Sequence, residues 1–369
     1  MPSLRSVLPV LAGMLLVLLV APGAAAQDTL EYDPSVCAEH QDGSELSAEC
    51  AAMIEAFPTP PNLIPVSQDT FTLGTYNFWR VSRDGAPKYD GPGGSVVGEI
   101  PAGFNTVHGI DASVDGWLRI ADGTWIPSEL TTFQQPSYFT GFEITDGLEH
   151  PFAVILDLSR IFVSLYPGGP RSSSNGRFIN RYEVVPIFSV TTDPDGWRWY
   201  MIGPNQWIEQ RFVSKIFKIE RPEGIAPDAR WVAIDLYEQT VVAYEGDTPV
   251  YATVVSTGLP PNETNEGLFS VWASLPQDKM SGATGAPDAY AVESVPWVLY
   301  FDGGISLHGT YWHDLFGYRQ SHGCVNLTIS DARWMYNWVH QGNLSGMGEA
   351  DVQVYVHSSG EYGVTATGI

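Results

Sequence analysis

The sequence predicts a mainly β protein of more than one domain, and three observations carry that expectation. The chain has 369 residues, more than a single core usually fills. Hydrophobic residues make up 44% and charged residues 16%, with 12 Trp, so real cores can form and wholesale disorder is excluded. Gly 37 and Pro 27 exceed what long helices tolerate, and the Val-, Tyr-, Thr- and Trp-rich runs between them suit short strands joined by turns.

Lys+Arg 18 against Asp+Glu 42 gives a net charge of -24 with no basic cluster, which argues against a nucleic-acid partner. The acidity describes a solvated, self-repelling surface, and no site is read from it.

Residues 1–26 read as a secretory signal. Arg5 precedes an uncharged stretch from Ser6 to Gln27, apolar from Val7 to Ala21 and ending Pro22-Gly23-Ala24-Ala25-Ala26, a small-residue cleavage site. Uncleaved, the stretch could just span a bilayer, but Pro-Gly before the small triplet favours release. No Cys follows to carry a lipid and no later stretch is apolar enough to span, so no stable membrane span is expected after cleavage. The protein is expected to be secreted or held in the cell envelope, an oxidising compartment.

In residues 27–69, Cys37 and Cys50 are expected to form a disulfide, worth roughly 3 kcal/mol in the chain-entropy model. Cys324 is then the odd thiol, inert in a core or kept free for chemistry. Phe57-Pro58-Thr59-Pro60-Pro61 and Pro65 cannot propagate a helix or a central strand, which marks a linker or surface strap.

An internal repeat follows. Asp115-Gly116-Trp117 leads to Trp125-Ile126, and 80 residues later Asp195-Gly196-Trp197 leads to Trp207-Ile208. Each copy reads as a hairpin around a Gly-containing turn and follows a Gly-rich loop. The two units, residues 70–140 and 141–225, resemble bacterial SH3-like β-barrels. Their Trp residues fit a core better than a ligand platform, so wall binding is a secondary reading.

After a Pro/Gly joint from Arg221 to Pro227 comes the third folded segment, residues 226–357, with a tail at 358–369. It opens with strands Trp231–Leu236 and Thr240–Tyr244 around a turn at Tyr237–Gln239; further strands are expected at 251–256, 268–273 and 297–301. One main helix is expected, capped by Ser330, apolar at Ala332, Met335, Tyr336 and Val339, and stopped by Gly342.

Before that helix stand Leu307-His308-Gly309-Thr310 and Ser321-His322-Gly323-Cys324-Val325-Asn326. A cysteine attacks a carbonyl as thiolate and needs a base nearby, which His308 or His322 could supply. Gly323 allows close backbone approach, and the N–H groups of residues 322–324 could meet a developing oxyanion.

These residues strongly resemble the catalytic domain of the L,D-transpeptidases, the YkuD family, over about residues 229–357. The resemblance implies a β-rich fold in which Cys324 is the acylated nucleophile and His308 its base, oriented by a backbone carbonyl. His322 and Gly323 would shape the substrate and oxyanion site, Gly309 would sit beside the base, and Ser321 and Asn326 would hold the loop. Thr264-Asn265-Glu266-Gly267 stands where the family usually shows Thr-Pro-x-Gly, and Gly309 where some members have Ser.

A zinc site is the competing reading of His308, His313, His322 and Cys324, but their spacing fits no common zinc pattern, so neither metal nor cofactor is expected. His313, with Tyr311 and Trp312, lines the acceptor side or is merely structural. The resemblance implies an exported enzyme acting on peptidoglycan stem peptides. Cys324 would form a thioester with a stem tetrapeptide, release D-Ala and pass the acyl group to an amine, forming a cross-link. Water as acceptor would make it an L,D-carboxypeptidase, and a protein amine would make it an anchoring enzyme. Carbapenem-type inhibitors would acylate the same thiol. A cell-wall peptidase of the NlpC kind would place its Cys before its His, the reverse of the order here. A non-catalytic wall-binding protein is the more distant alternative.

Overall fold

Two sheets and one helix build the fold around Cys324. The computed structural model describes residues 32–57, 63–156, 161–171, 177–283, 289–340 and 352–360, within the compact unit Tyr32–Ile369. The signal segment 1–26, Pro58 to Pro61 of the linker, Gly342 and most of the tail lie outside the described residues.

The first sheet has seven strands in the order Leu63–Pro65, Phe142–Ile144, Thr248–Val254, Thr240–Glu245, Arg230–Asp235, Val352–His357 and Gly267–Ser270. The run Trp231-Val232-Ala233-Ile234 is apolar without alternation because this strand is covered on both faces. Val232 and Ile234 pack with Leu307, Val325, Leu327 and the helix Ile329–Val339 on one side. On the other, Trp231 and Tyr244, stacked at 4.1 Å, pack with Phe142, Phe152 and Phe316. Strands Phe142–Ile144 and Leu63–Pro65, which fall within segments 141–225 and 27–69, thus pair with the sheet of the third segment.

The second sheet runs from Val325–Leu327 through Ile305–Gly309 and Tyr290–Asp302 to Phe104–Asp111, and from there into the strands of residues 78–133. The first repeat hairpin, Trp117–Ile120 with Trp125–Pro127, lies over a small core of Val81, Ala86, Ile100, Val107, Leu118, Ile120 and Ile126. The second hairpin, Arg198–Gly203 with Gln206–Glu209, contributes Tyr200, Ile202 and Ile208 to another core and Trp199 and Trp207 to a third. That third core encloses the Cys37–Cys50 disulfide, so residues from Tyr32 to Phe57 pack on the second unit. Cys324 is a free thiol.

The structure corrects the helix expectation in two respects. The helix Ile329–Val339 is capped by Thr328, whose hydroxyl accepts from the Asp331 N–H; Ser330 instead accepts from the Asp69 N–H and donates to Gln68. Ser330 therefore ties the strap to the helix. Two shorter helices, Ala48–Ala56 and Thr70–Thr75, also form, capped by Ser47 and Asp69. The strand expected at 297–301 is the end of a longer one, Tyr290–Asp302, and the one expected at 268–273 is divided between Gly267–Ser270 and Ala273–Gly282. Among the described residues no helix is long and apolar enough to cross a membrane.

Candidate active site

Strand geometry places Cys324 and His308 on one face of the sheet. Side chains alternate along a strand, so Ser306 and His308 of Ile305–Gly309 share a face. The neighbouring parallel strand pairs Leu307 with Val325 and His308 with Asn326, which sets Cys324 level with Ser306. The Cys324 Sγ lies 3.7 Å from Ser306 Oγ and 3.8 Å from the Gly304 carbonyl oxygen. Burial pushes the thiol pKa up, against the pull of hydrogen bonds from the Ser306 N–H and hydroxyl.

His308 is buried, and its Nδ1 lies 3.2 Å from the Gly309 carbonyl oxygen and 3.4 Å from Thr310 Oγ1. An Nδ1–H donating to that carbonyl leaves the lone pair on Nε2, the tautomer a general base requires. Burial presses the His308 pKa down to about 4, opposed in part by the carbonyl. At neutral pH the resting pair is thus a thiol and a neutral imidazole.

The turn before Cys324 is held from several sides. Gly323 has φ 114°, in the region that favours glycine. Its N–H donates to Ser321 Oγ at 3.2 Å, and the same hydroxyl donates to the Cys324 carbonyl. Thr264 Oγ1 donates to the Gly323 carbonyl at 2.7 Å while accepting from the Gly258 N–H. The threonine of the unusual Thr-Asn-Glu-Gly run therefore braces the nucleophile turn from a distant loop. Asn326 pairs through its backbone with Ser256. At Gly309 a Cβ would come within 2.8 Å of Pro296 Cγ, which explains why no serine stands there.

His313 lies beside this pair. Its Nδ1 accepts from the Leu315 N–H, and its Nε2 is 2.9 Å from Asn326 Nδ2. Burial, His308 and Arg181 press its pKa down to about 3. Both ring nitrogens are engaged, so its position suits a wall of the site. His322 stacks on Tyr290 at 5.1 Å, two residues before Cys324. Among the described residues no group of three or more His, Cys, Asp or Glu is placed to hold a metal ion.

Ser306 and Tyr300 were not singled out from the sequence. Tyr300 pairs with Ser306 across the strands, and its hydroxyl donates to Asp278 at 2.8 Å. The signal for Ser306 was its place two residues before His308 on an alternating strand.

The fold and the motif around Cys324 point to one class of catalytic domain. Residues 229–356 match the model of the YkuD family, the L,D-transpeptidase catalytic domain, and this segment belongs to that family. YciB of Bacillus subtilis (strain 168), an L,D-transpeptidase by name, is 26% identical over 136 residues, covering 31% of this chain and 64% of its own. A crystal structure of an L,D-transpeptidase from Stackebrandtia nassauensis is similar with 26% identity and a TM-score of 0.27, over 36% of this chain and 57% of that one. An L,D-transpeptidase from Mycobacterium smegmatis shows 20% identity and a TM-score of 0.31, over 46% of this chain and 80% of that one. The chain thus spans less than two thirds of the first two.

Proposed function

We propose that this protein is an exported L,D-transpeptidase of the peptidoglycan, and the observation that carries the reading is the shared face of Cys324 and His308 with Nδ1 of His308 held by a carbonyl. A stem tetrapeptide presents the carbonyl of its third residue to Cys324. The Sγ–H proton passes to His308 Nε2 as the C–S bond forms, which matches a thiol raised and an imidazole lowered by burial. The peptide C–N bond then breaks and the imidazolium returns the proton to the departing amine of D-Ala. An acceptor amine next attacks the thioester, giving its proton to His308 while the thiolate leaves. The Gly323 N–H is held by a long bond to a neutral hydroxyl, and an oxyanion is a strong enough acceptor to take it over. We read His322, stacked on Tyr290, as a wall beside the nucleophile turn.

Export rests on the 1–26 segment and the disulfide, and the SH3-like reading of residues 70–140 and 141–225 keeps contact with wall material as a secondary role. A purified tetrapeptide-stem muropeptide tests the activity. Release of D-Ala with a Cys324-linked acyl intermediate, both lost in Cys324→Ala, is expected. Absence of both from the native protein would overturn the reading, and free tripeptide as the sole product would make the enzyme a carboxypeptidase.

A further inference from the structure

We propose that one strand of the first β unit, Phe104–Asp111, is a positioning element of the active site, acting through Thr106 and assisted by Phe78 of the neighbouring strand. The inference rests on the transpeptidase reading and extends it to residues far outside the family-matched segment. Phe104, Asn105 and Thr106 pair in parallel with Tyr290, Ala291 and Val292, so the strand adds directly to the long strand that flanks the nucleophile sheet. Tyr290, fixed at one end of this pairing, stacks on His322, two residues before Cys324.

The same strand reaches the base by another route. The Tyr311 hydroxyl is buried 2.6 Å from Thr106 Oγ1 and donates to the Glu293 carbonyl. A phenol has one proton, and it goes to that carbonyl, so Thr106 is the donor to Tyr311. Phe78 stacks on the Tyr311 ring at 3.7 Å and 12°. Tyr311 meets Trp312 edge-on at 4.9 Å, and Trp312 lies 5.6 Å from the His308 ring. The chain Thr106–Tyr311–Trp312–His308, buried except for a partly exposed Trp312, therefore fixes the ring plane of the base from a different unit, while the other arm of the strand reaches His322 through Tyr290. A hydroxyl and an aromatic ring from the first unit are thereby committed to the catalytic wall, a role beyond that of spacer or wall anchor.

Acylation of the full chain by a carbapenem, followed by stopped flow across concentrations, separates the maximal acylation rate from the half-saturating concentration. Thr106→Val is expected to lower the maximal rate roughly 5- to 10-fold, the worth of a buried hydrogen bond, with half-saturation changed less than about 2-fold. Thr106→Ser should restore the rate to within about 2-fold, because it keeps the donor. Tyr311→Phe, which also loses the bond to the Glu293 carbonyl, should slow acylation at least as much, and adding Thr106→Val to it should cost little more, since the Thr106 contact is already gone. A Thr106→Val enzyme at the native rate, a Thr106→Ser enzyme as slow as Thr106→Val, or additive losses in the double variant would each overturn the proposal. If Thr106→Val does not fold, Tyr311→Phe at the native rate does the same. A native protein that is not acylated at Cys324 would instead overturn the transpeptidase reading.

Discussion

At the residue scale, the pair Cys324 and His308 starts uncharged. His308 is pressed down to about 4, so it is available as a base from mildly acidic pH upward, while burial keeps the thiol protonated at neutrality. Native acylation is therefore expected to be nearly flat between about pH 5.5 and 7.5. His308→Ala should lose roughly 10²- to 10⁴-fold at pH 7 and should depend on the free thiolate instead, rising close to tenfold per pH unit. Stopped-flow acylation across pH measures both, and a native rate that itself climbs tenfold per unit would mean that His308 is not the base. The motif residues of this site were legible because their chemistry is local: His308, His322, Gly323 and Cys324 lie within 17 residues. Thr264 matched the family run, whose departure is Asn265, but its bond to Gly323 closes across a distance that spacing does not reveal. Thr264→Val removes an acceptor and a donor from a buried turn. It is expected to lower stability by about 1–3 kcal/mol and to slow acylation while leaving Cys324 reactive, as read by urea unfolding and adduct formation.

At the element scale, the strands and the helix Ile329–Val339 follow from local pattern, while of the two short helices one follows from local chemistry and the other from distant partners. Ala48–Ala56 has an Ala- and Glu-rich sequence behind Ser47, a cap signal that was present but overshadowed by the two cysteines. Thr70–Thr75 contains three threonines among six residues, which is poor helical material. It forms because Asp69 caps it, and Asp69 is itself fixed by Trp297 and Arg333, more than 200 residues away. No reading of the local sequence supplies those partners. The disulfide makes a separate prediction. Cys37→Ala with Cys50→Ala should lower stability by about 3 kcal/mol while leaving the rate of Cys324 acylation within about 2-fold, because the pair joins a core of Trp199, Met201 and Trp207 rather than the site.

At the scale of the whole molecule, three sequence segments share their sheets. The repeat was visible as an 80-residue offset, but the use of Phe142–Ile144 and Phe104–Asp111 as strands alongside the third segment was not, because strand partnership between distant segments leaves no periodic trace. Packing between segments also buries acids. Glu238, between Lys215 and Tyr200, is raised to about 7 by burial, and Asp331, which accepts from the Gly141 N–H, is raised to about 6. A carboxyl raised in the folded state binds more protons there than in the unfolded chain, so stability falls as pH rises from the unfolded value through the folded one and levels off above it. The native protein should lose on the order of 1–3 kcal/mol between pH 5 and 7.5 from Glu238, and Glu238→Gln should flatten that slope in urea unfolding across pH. The central claim is acyl transfer to Cys324, and intact-protein mass spectrometry with peptide mapping after incubation with a carbapenem tests it most directly. One adduct per chain on the peptide carrying Cys324, absent from Cys324→Ser, is the expected result; an unmodified native protein, or an adduct that persists in Cys324→Ser, would contradict it.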